Sequence, residues 1–249
     1  MSQREVVGRY RGSIMGLAWS FFNPILMLIV YTFVFSVVFN AKWGVGVGES
    51  KSQFAIVLFV GIIVHSLFSE VLNRAPTLML ANVNFVKKVV FPIEILPAIA
   101  MGSAIFHAAV SILVFLTAFV ILNSYLNWTI VFLPFVFLPM IILAMGLAWI
   151  LASLGVFIRD VTQAIGLIMT VLLFLAPVFY PISALPEAYQ HLLMVNPITF
   201  IIEQAREVLI WGRGPNWWGL AIYSMISLLI AWAGYWWFQK TRKGFSDVL

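Results

Sequence analysis

Long apolar segments constrain this chain more than any other feature of its sequence. Residues 93–122 and 130–157 are separated only by a short polar turn, and each exceeds the roughly 20 residues that a helix needs to cross a bilayer. Four further apolar segments have about the minimum length for a crossing. The six segments are residues 21–40, 54–73, 93–122, 130–157, 161–180 and 217–238. Only 9% of the residues are charged, whereas soluble domains contain about 25%. The sequence therefore predicts an all-α integral membrane protein with six transmembrane helices.

Two adjacent lysines indicate which side of the membrane is cytoplasmic. Lys87 and Lys88 lie in the polar interruption at 82–97, and each lysine would cost roughly 2.5–3.5 kcal/mol at mid-membrane. This interruption must face water, and the excess of basic residues in cytoplasmic loops indicates the cytoplasm. With six crossings, most of the 14 basic residues fall on that side, at Arg4, Arg9, Arg11, Arg74, Lys87, Lys88, Arg159, Lys240, Arg242 and Lys243. We therefore predict that both termini are cytoplasmic.

Residues 1–20 are predicted to form an amphipathic helix in the membrane interface. At about 100° per residue, Val6, Tyr10 and Ile14 fall on one face, while the arginines point elsewhere. Such a helix lies along the bilayer surface with its basic side towards anionic headgroups. A disordered basic tail that only fixes the topology is the alternative.

Residues 181–216 are largely apolar but cannot cross the membrane as one helix. Prolines and charged residues interrupt them, including Pro186, Pro197, Glu203 and Arg206, and the longest uninterrupted run is too short to span. Irregular backbone is tolerated at membrane depth only against protein or a watery cavity. We predict a re-entrant helical hairpin on the outer side, between the fifth and sixth transmembrane helices.

No motif in the sequence makes this chain an enzyme. It lacks the G-x-x-x-x-G-K-[ST] phosphate loop, the G-x-S-x-G elbow and the H-E-x-x-H zinc motif. With no cysteine and three scattered histidines, we expect no metal site, and basic residues spread between apolar segments argue against nucleic acid as a partner. Ser103 and His107 are expected to form a hydrogen-bonded packing pair, and a proton relay is the alternative. An intramembrane hydrolase built on the same two residues is a rival from another class of function, although no orienting group is evident.

If the chain moves a polar substrate across the bilayer, it needs an energy source, and the candidates are an ion gradient or ATP. Ion coupling normally leaves ionisable groups inside the spans, and the deep spans offer little beyond His65 and His107. Glu70 and Arg74 stand four residues apart near the inner end of the second span, which predicts a structural salt bridge, with a gating role as the alternative. ATP is the other energy source, and without a phosphate loop here it must be bound by a separate polypeptide.

Six stretches of the chain match one family of membrane proteins in their order and spacing. They are residues 17–24 (LAWSFFNP), 31–36 (YTFVFS), 82–97, 159–160 (RD), 176–181 (APVFYP) and 196–199 (NPIT). Together they resemble the membrane subunit of ABC-2 type polysaccharide exporters, the O-antigen and teichoic acid export family. The resemblance covers nearly all of residues 1–249 as a single domain, although Phe85 and Ile93 stand where an aliphatic and a basic residue are expected.

The resemblance implies an ATP-driven exporter of an undecaprenyl-diphosphate-linked polysaccharide in the bacterial cytoplasmic membrane. It implies a homodimer bound to two copies of a cytoplasmic ABC ATPase, which would carry ATP and magnesium, while this chain holds no cofactor. Residues 74–92 would dock on that ATPase as the coupling region. The residues expected to serve this contact are Arg74, Thr77, Asn82, Asn84, Lys87, Lys88, Arg159 and Asp160. An ABC-2 permease for a drug or another lipid is the alternative.

Two further sites are hypotheses about how such a substrate is held. Tyr31, Phe35 and Phe39 recur every four residues on one helix face. Aromatic rings can slide along the apolar faces of sugars, so these three rings, with Phe179 and Tyr180, are candidates to line a channel; lipid-facing or packed core rings are the alternative. Arg9 and Arg11 are candidates to bind the lipid diphosphate because arginine forks suit phosphate, although ordinary lipid headgroups would satisfy them as well.

Overall fold

The computed structural model describes residue 16, residues 18–34, residue 43, residues 51–88 and residues 92–249. This part of the chain is helical and contains no β-strand, which confirms the all-α class. The α-helices are α1 (Ala18–Tyr31), α2 (Lys51–Arg74), α3 (Leu78–Ala81), α4 (Val83–Lys88), α5 (Leu96–Asn123), α6 (Leu133–Phe157), α7 (Val161–Leu175), α8 (Glu187–Val195), α9 (Thr199–Leu209), α10 (Trp217–Thr241) and α11 (Phe245–Val248). Short 3₁₀ turns lie at Ala75–Thr77, Ile93–Ile95, Trp128–Phe132, Ile182–Ala184 and Arg242–Gly244.

Four helical segments of the described chain are long and apolar enough to cross a bilayer. They are Gln53–Ala81, Ile93–Asn123, Trp128–Phe157 and Trp217–Gly244, and they correspond to the second, third, fourth and sixth predicted spans. The apolar helix Ala18–Val34 is shorter. The rest of the first predicted span, residues 35–40, lies outside the described residues, as does nearly all of the predicted interface helix.

The fifth predicted span ends earlier than the sequence indicated. The prediction extended to residue 180, whereas α7 ends at Leu175 and Ala176 has an extended backbone with a ψ of 153°. Pro177 explains the difference because proline disfavours helical backbone in the preceding residue and cannot donate the next helical hydrogen bond. Residues 176–181 therefore form a separate irregular segment between α7 and the helices that follow.

Close approach of backbones defines the interior of the bundle. α2 is apolar around most of its circumference, and its Val64 and Val71 are fully buried. Where α6 crosses α10, a Cβ on Gly146 would lie only 2.6 Å from the Cα of Ala231, and a Cβ on Gly234 would overlap the Gly146 carbonyl. The small residues at this crossing let the two helices pack backbone to backbone.

Alanines that recur every four residues on two of the long helices admit such packing, and all of them are buried. They are Ala100, Ala104 and Ala108 on α5, and Ala144, Ala148 and Ala152 on α6. Small residues on one face are therefore the sequence feature that best anticipates how these long helices associate.

The connecting segments gather at two opposite ends of the bundle. One end carries the Ala75–Thr77 turn, α3, α4, the α6–α7 turn and α11. The other end carries α8, α9 and the turn before α6. There Asn127 donates side-chain hydrogen bonds to the carbonyls of Leu209 and Ile210, at 3.2 and 3.0 Å, and the Thr129 hydroxyl donates to the Val208 carbonyl at 2.5 Å. The predicted coupling region and the predicted hairpin thus lie at opposite ends.

Candidate functional site

The predicted coupling region begins where α2 ends. Arg74 Nη1 lies 3.7 Å from Glu70 Oε1, which confirms the expected salt bridge. The Thr77 hydroxyl donates to the Arg74 carbonyl at 3.0 Å. Pro76 is buried against α6, where a Cβ on Gly155 would lie 2.6 Å from the Pro76 Cα. The first turn of the coupling region is therefore fixed on the bundle through its backbone.

α3 and α4 carry the other predicted contact residues of this loop. The Asn82 side chain donates to the Leu78 carbonyl at 2.8 Å and ends α3, because the Asn82 backbone leaves the helical region with a φ of −124°. Asn84, in α4, is exposed. Lys87 and Lys88 form the last residues of α4, and their side chains lie outside what the structure describes.

Arg159 and Asp160 lie at the same end, in the turn between α6 and α7, and both are exposed. The Asp160 carbonyl accepts from the amides of Gln163 and Ala164 at 3.1 and 3.0 Å, and so begins α7. α7 and α6 both pack against the Ala75–Thr77 turn. The structure thus brings two predicted contact segments, distant in sequence, to one end of the bundle.

A separate apolar cluster supports this end, and the sequence analysis missed it. Its buried members are Leu78, Met79, Ile93, Leu96, Ala100, Ala152, Val156, Phe238 and Phe245. The ring of Phe245, on α11, lies 5.5 Å from that of Phe238 and 5.9 Å from that of Phe157. Beside the cluster, Arg242 Nη1 lies 3.4 Å from Glu94 Oε2. Phe245, near the end of the chain, therefore belongs to the packed cluster that supports the predicted coupling region, and Arg242 lies beside it.

Glu70 also joins α2 to α5. The Nδ1 atom of His107 lies 3.0 and 2.9 Å from the two carboxylate oxygens of Glu70, so the imidazole expected beside Ser103 contacts a carboxylate on another helix. A cavity of about 260 Å³ opens next to this pair between α1, α2 and α5. Its polar lining consists of Ser20, Asn23, Ser66, Glu70, His107 and Ser111. No local spacing in the sequence could have revealed a pair 37 residues apart.

The structure brings together part of the predicted channel set. The rings of Tyr31 and Phe179 lie 5.7 Å apart, and Phe179 lies 5.8 Å from Phe174, a residue that the sequence analysis did not select. The Tyr180 hydroxyl donates to the Phe174 carbonyl at 2.9 Å. Residues 176–181 therefore carry an aromatic group that joins α1 to α7. Phe35, Phe39, Arg9 and Arg11 lie outside the described residues.

Arg206 on α9 is buried, although the sequence analysis counted it only among the outer charges. It is 1% exposed, and its Nη1 donates to Glu203 Oε1 at 2.8 Å. Its Nε donates to the carbonyl of Val57 at 3.1 Å and its Nη2 to that of Val178 at 3.4 Å. The guanidinium carbon also lies 4.1 Å from the ring centre of Trp43. Burial lowers the pKa of Arg206 to about 10 while the Glu203 carboxylate opposes that shift, so the guanidinium stays charged at neutral pH.

Comparison with known proteins places these features in a wider context. Residues 1–210 match the family model described as "ABC-2 type transporter". The O-antigen export system permease protein RfbA of Myxococcus xanthus is 26% identical over 247 residues, covering 98% of this chain and 92% of that protein. A protein of the same name from Klebsiella pneumoniae is 22% identical over 251 residues, covering 100% and 93%. The polysialic acid transport protein KpsM of Escherichia coli is 23% identical over 253 residues, covering 96% and 91%.

Proposed function

We propose, because this chain belongs to the ABC-2 type transporter family, that it is the transmembrane subunit of an ATP-driven exporter of lipid-linked polysaccharide. The observation that carries the proposal is similarity over more than nine-tenths of both chains to a permease named for O-antigen export and to a protein named for polysialic acid transport. The expected substrate is an undecaprenyl-diphosphate-linked polymer such as O-antigen or teichoic acid, moved across the bacterial cytoplasmic membrane.

The proposed topology has six crossings with both termini in the cytoplasm. Four helical segments support it by length and composition. α7 has 15 residues, or roughly 22 Å of helix at 1.5 Å per residue, so the fifth crossing needs the extended segment after it to approach 30 Å. α8 and α9 are the proposed outer re-entrant hairpin, and α9 packs beside the turn before α6. Residues 1–20 would form the interface helix.

The proposed coupling contact uses residues 74–92 together with the α6–α7 turn. The contact residues would be Arg74, Thr77, Asn82, Asn84, Lys87, Lys88, Arg159 and Asp160. The apolar packing beneath residues 74–92 supports this proposal, because a contact segment transmits movement of the ATPase only if it is fixed firmly on the helix bundle. Two such chains would bind two ATPase subunits, and ATP and magnesium would be bound there.

The proposed substrate path runs beside α1 and α7. Tyr31 and Phe179 would contribute their rings to it, with Tyr180, Phe35 and Phe39 as further lining residues. α1 and α7 support this proposal because they expose large apolar side chains that a second subunit or lipid must cover, such as Phe22 at 44% and Phe174 at 58% exposure. Arg9 and Arg11 would bind the lipid diphosphate at the inner leaflet.

ATP-driven translocation in a purified system tests the proposed function. The chain is purified with its proposed ABC ATPase partner and reconstituted into proteoliposomes with lipid-linked O-antigen-type polysaccharide. We expect ATP to move polymer into the lumen, where a glycosidase added outside cannot degrade it, and an ATPase subunit that cannot hydrolyse ATP to abolish this protection. A complex that hydrolyses ATP but moves only a drug-like dye or a phospholipid would overturn the polysaccharide assignment and favour the alternative permease.

A further inference from the structure

We propose that Arg206 is a positioning residue that holds residues 176–180 against α2 and thereby sets the position of the Phe179 ring. Residues 176–180 are called the aromatic segment below. The inference rests on the proposed function in one respect, which is that Phe179 and Tyr31 line the substrate path. Through Arg206, the outer helix α9 would thus set the position of a ring that lines that path.

The first support is the set of hydrogen-bond acceptors around the buried Arg206 guanidinium. A buried guanidinium is unfavourable unless its N–H groups find acceptors. Arg206 donates to two backbone carbonyls from different parts of the chain, that of Val57 in α2 at 3.1 Å and that of Val178 at 3.4 Å. Its third contact, with Glu203, lies on its own helix. One side chain therefore connects α9, α2 and the aromatic segment.

The second support is the room that α2 leaves for this connection. Gly61 lies one helical turn after Val57, on the same face of α2. A Cβ at Gly61 would lie 3.1 Å from Nη2 of Arg206 and 3.2 Å from the Cα of Val178. A larger residue at position 61 would push both groups away, so the glycine is part of the same arrangement.

The third support is that two prolines limit the backbone hydrogen-bond donors of the aromatic segment. Pro177 and Pro181 flank its core and contribute no N–H. The Val178 amide donates to the Ala176 carbonyl at 2.7 Å, which closes a tight local turn and reaches no other element. The Val178 carbonyl is held by Arg206, and the next residue places its ring between Tyr31 and Phe174. Loss of the Arg206 contact should therefore release Phe179.

Site-directed labelling tests this inference directly because the chain contains no cysteine. Phe179→Cys provides a single reporter at a position that is 7% exposed. The complex with its ATPase is placed in lipid nanodiscs and treated with a membrane-impermeant maleimide. We expect slow labelling with Arg206 present and at least a tenfold faster rate in the Arg206→Gln background. Gly61→Ala should accelerate labelling in the same direction.

Two controls separate local release from general destabilisation. Arg213→Gln removes an arginine of the same region whose side chain is 75% exposed and pairs with Glu207 at 3.7 Å, and it should leave the labelling rate unchanged. Val64→Cys reports on a fully buried position of α2 and should stay unlabelled in the Arg206→Gln background. Equal Phe179→Cys rates with and without Arg206, or a parallel rise at position 64, would overturn the positioning role. The labelling needs no polysaccharide, so a failure here leaves the export assay as an independent test of the proposed function.

Discussion

Gly155→Ala is the substitution that probes the base of the coupling region most sharply. The new Cβ would lie 2.6 Å from the Pro76 Cα and would overlap the Pro76 carbonyl oxygen. Carbon atoms pack at about 3.5–4.0 Å, so the Ala75–Thr77 turn and α6 must separate by about 1 Å. The obstructing atoms are backbone and cannot rotate away. A gap of 0.5–1 Å forfeits about a quarter to a half of each contact energy along the seam.

We expect Gly155→Ala to cost about 1–3 kcal/mol of stability, the range for overpacked cores. At roughly 2–4 °C per kcal/mol for a chain of this size, thermal unfolding in detergent, followed by tryptophan fluorescence, should shift down by about 2–12 °C. Export should fall as well, because the turn under the proposed ATPase contact is displaced.

Gly166→Ala is the matched control, since an added Cβ there meets nothing within 4 Å and α7 gains the better helix former. It should unfold at or slightly above the original temperature. Equal melting temperatures for Gly155→Ala and the unmodified protein would refute the close approach of α6 to Pro76.

Two further experiments test contacts that the sequence did not reveal. Phe245→Ala should destabilise the protein by about 3 kcal/mol, the lower end of the range for a buried phenylalanine, because the short α11 can partly collapse into the cavity. Val248 is 53% exposed on the same helix, so Val248→Ala should change stability by less than about 0.5 kcal/mol. Equal melting temperatures for the two variants would contradict the packing of α11. A double-mutant cycle of Glu70→Gln and His107→Asn should give a coupling energy of about 1–3 kcal/mol in chemical unfolding, as expected for a charged hydrogen-bonded pair. Additive effects would show that the carboxylate and imidazole do not interact.

Features fixed by length, composition and local spacing could be predicted from the sequence. The long spans follow from apolar runs that exceed the membrane thickness. The Glu70–Arg74 pair follows from the four-residue spacing on a helix, and the buried alanines follow from the same geometry. Topology predicted which segments share an end of the bundle because successive spans alternate in direction.

Features set by contacts between distant segments could not be predicted in this way. His107 was assigned a partner on its own helix, since nothing local points to Glu70. Arg206 read as an outer charge because charged side chains are usually exposed, and only the fold supplies the carbonyls that make its burial tolerable. The end of α7 was within reach of the sequence, because Pro177 restricts the residue before it. The prediction extended the fifth span beyond that proline because it rested on hydropathy alone, which does not depend on backbone conformation.

The most direct test of the central claim is whether the coupling region binds the ATPase. The subunit is co-purified with its proposed ABC ATPase partner, either unmodified or with Lys87 and Lys88 both changed to glutamate. Lys240 and Lys243, changed together to glutamate, give a control with the same change of charge near the same end of the bundle. We predict a stable complex for the unmodified and control proteins and at least a tenfold weaker one, about 1.4 kcal/mol, for the Lys87 and Lys88 reversal. A complex of undiminished affinity after that reversal would contradict the proposed contact. Failure of the unmodified chain to form a complex would contradict ATP-driven export itself.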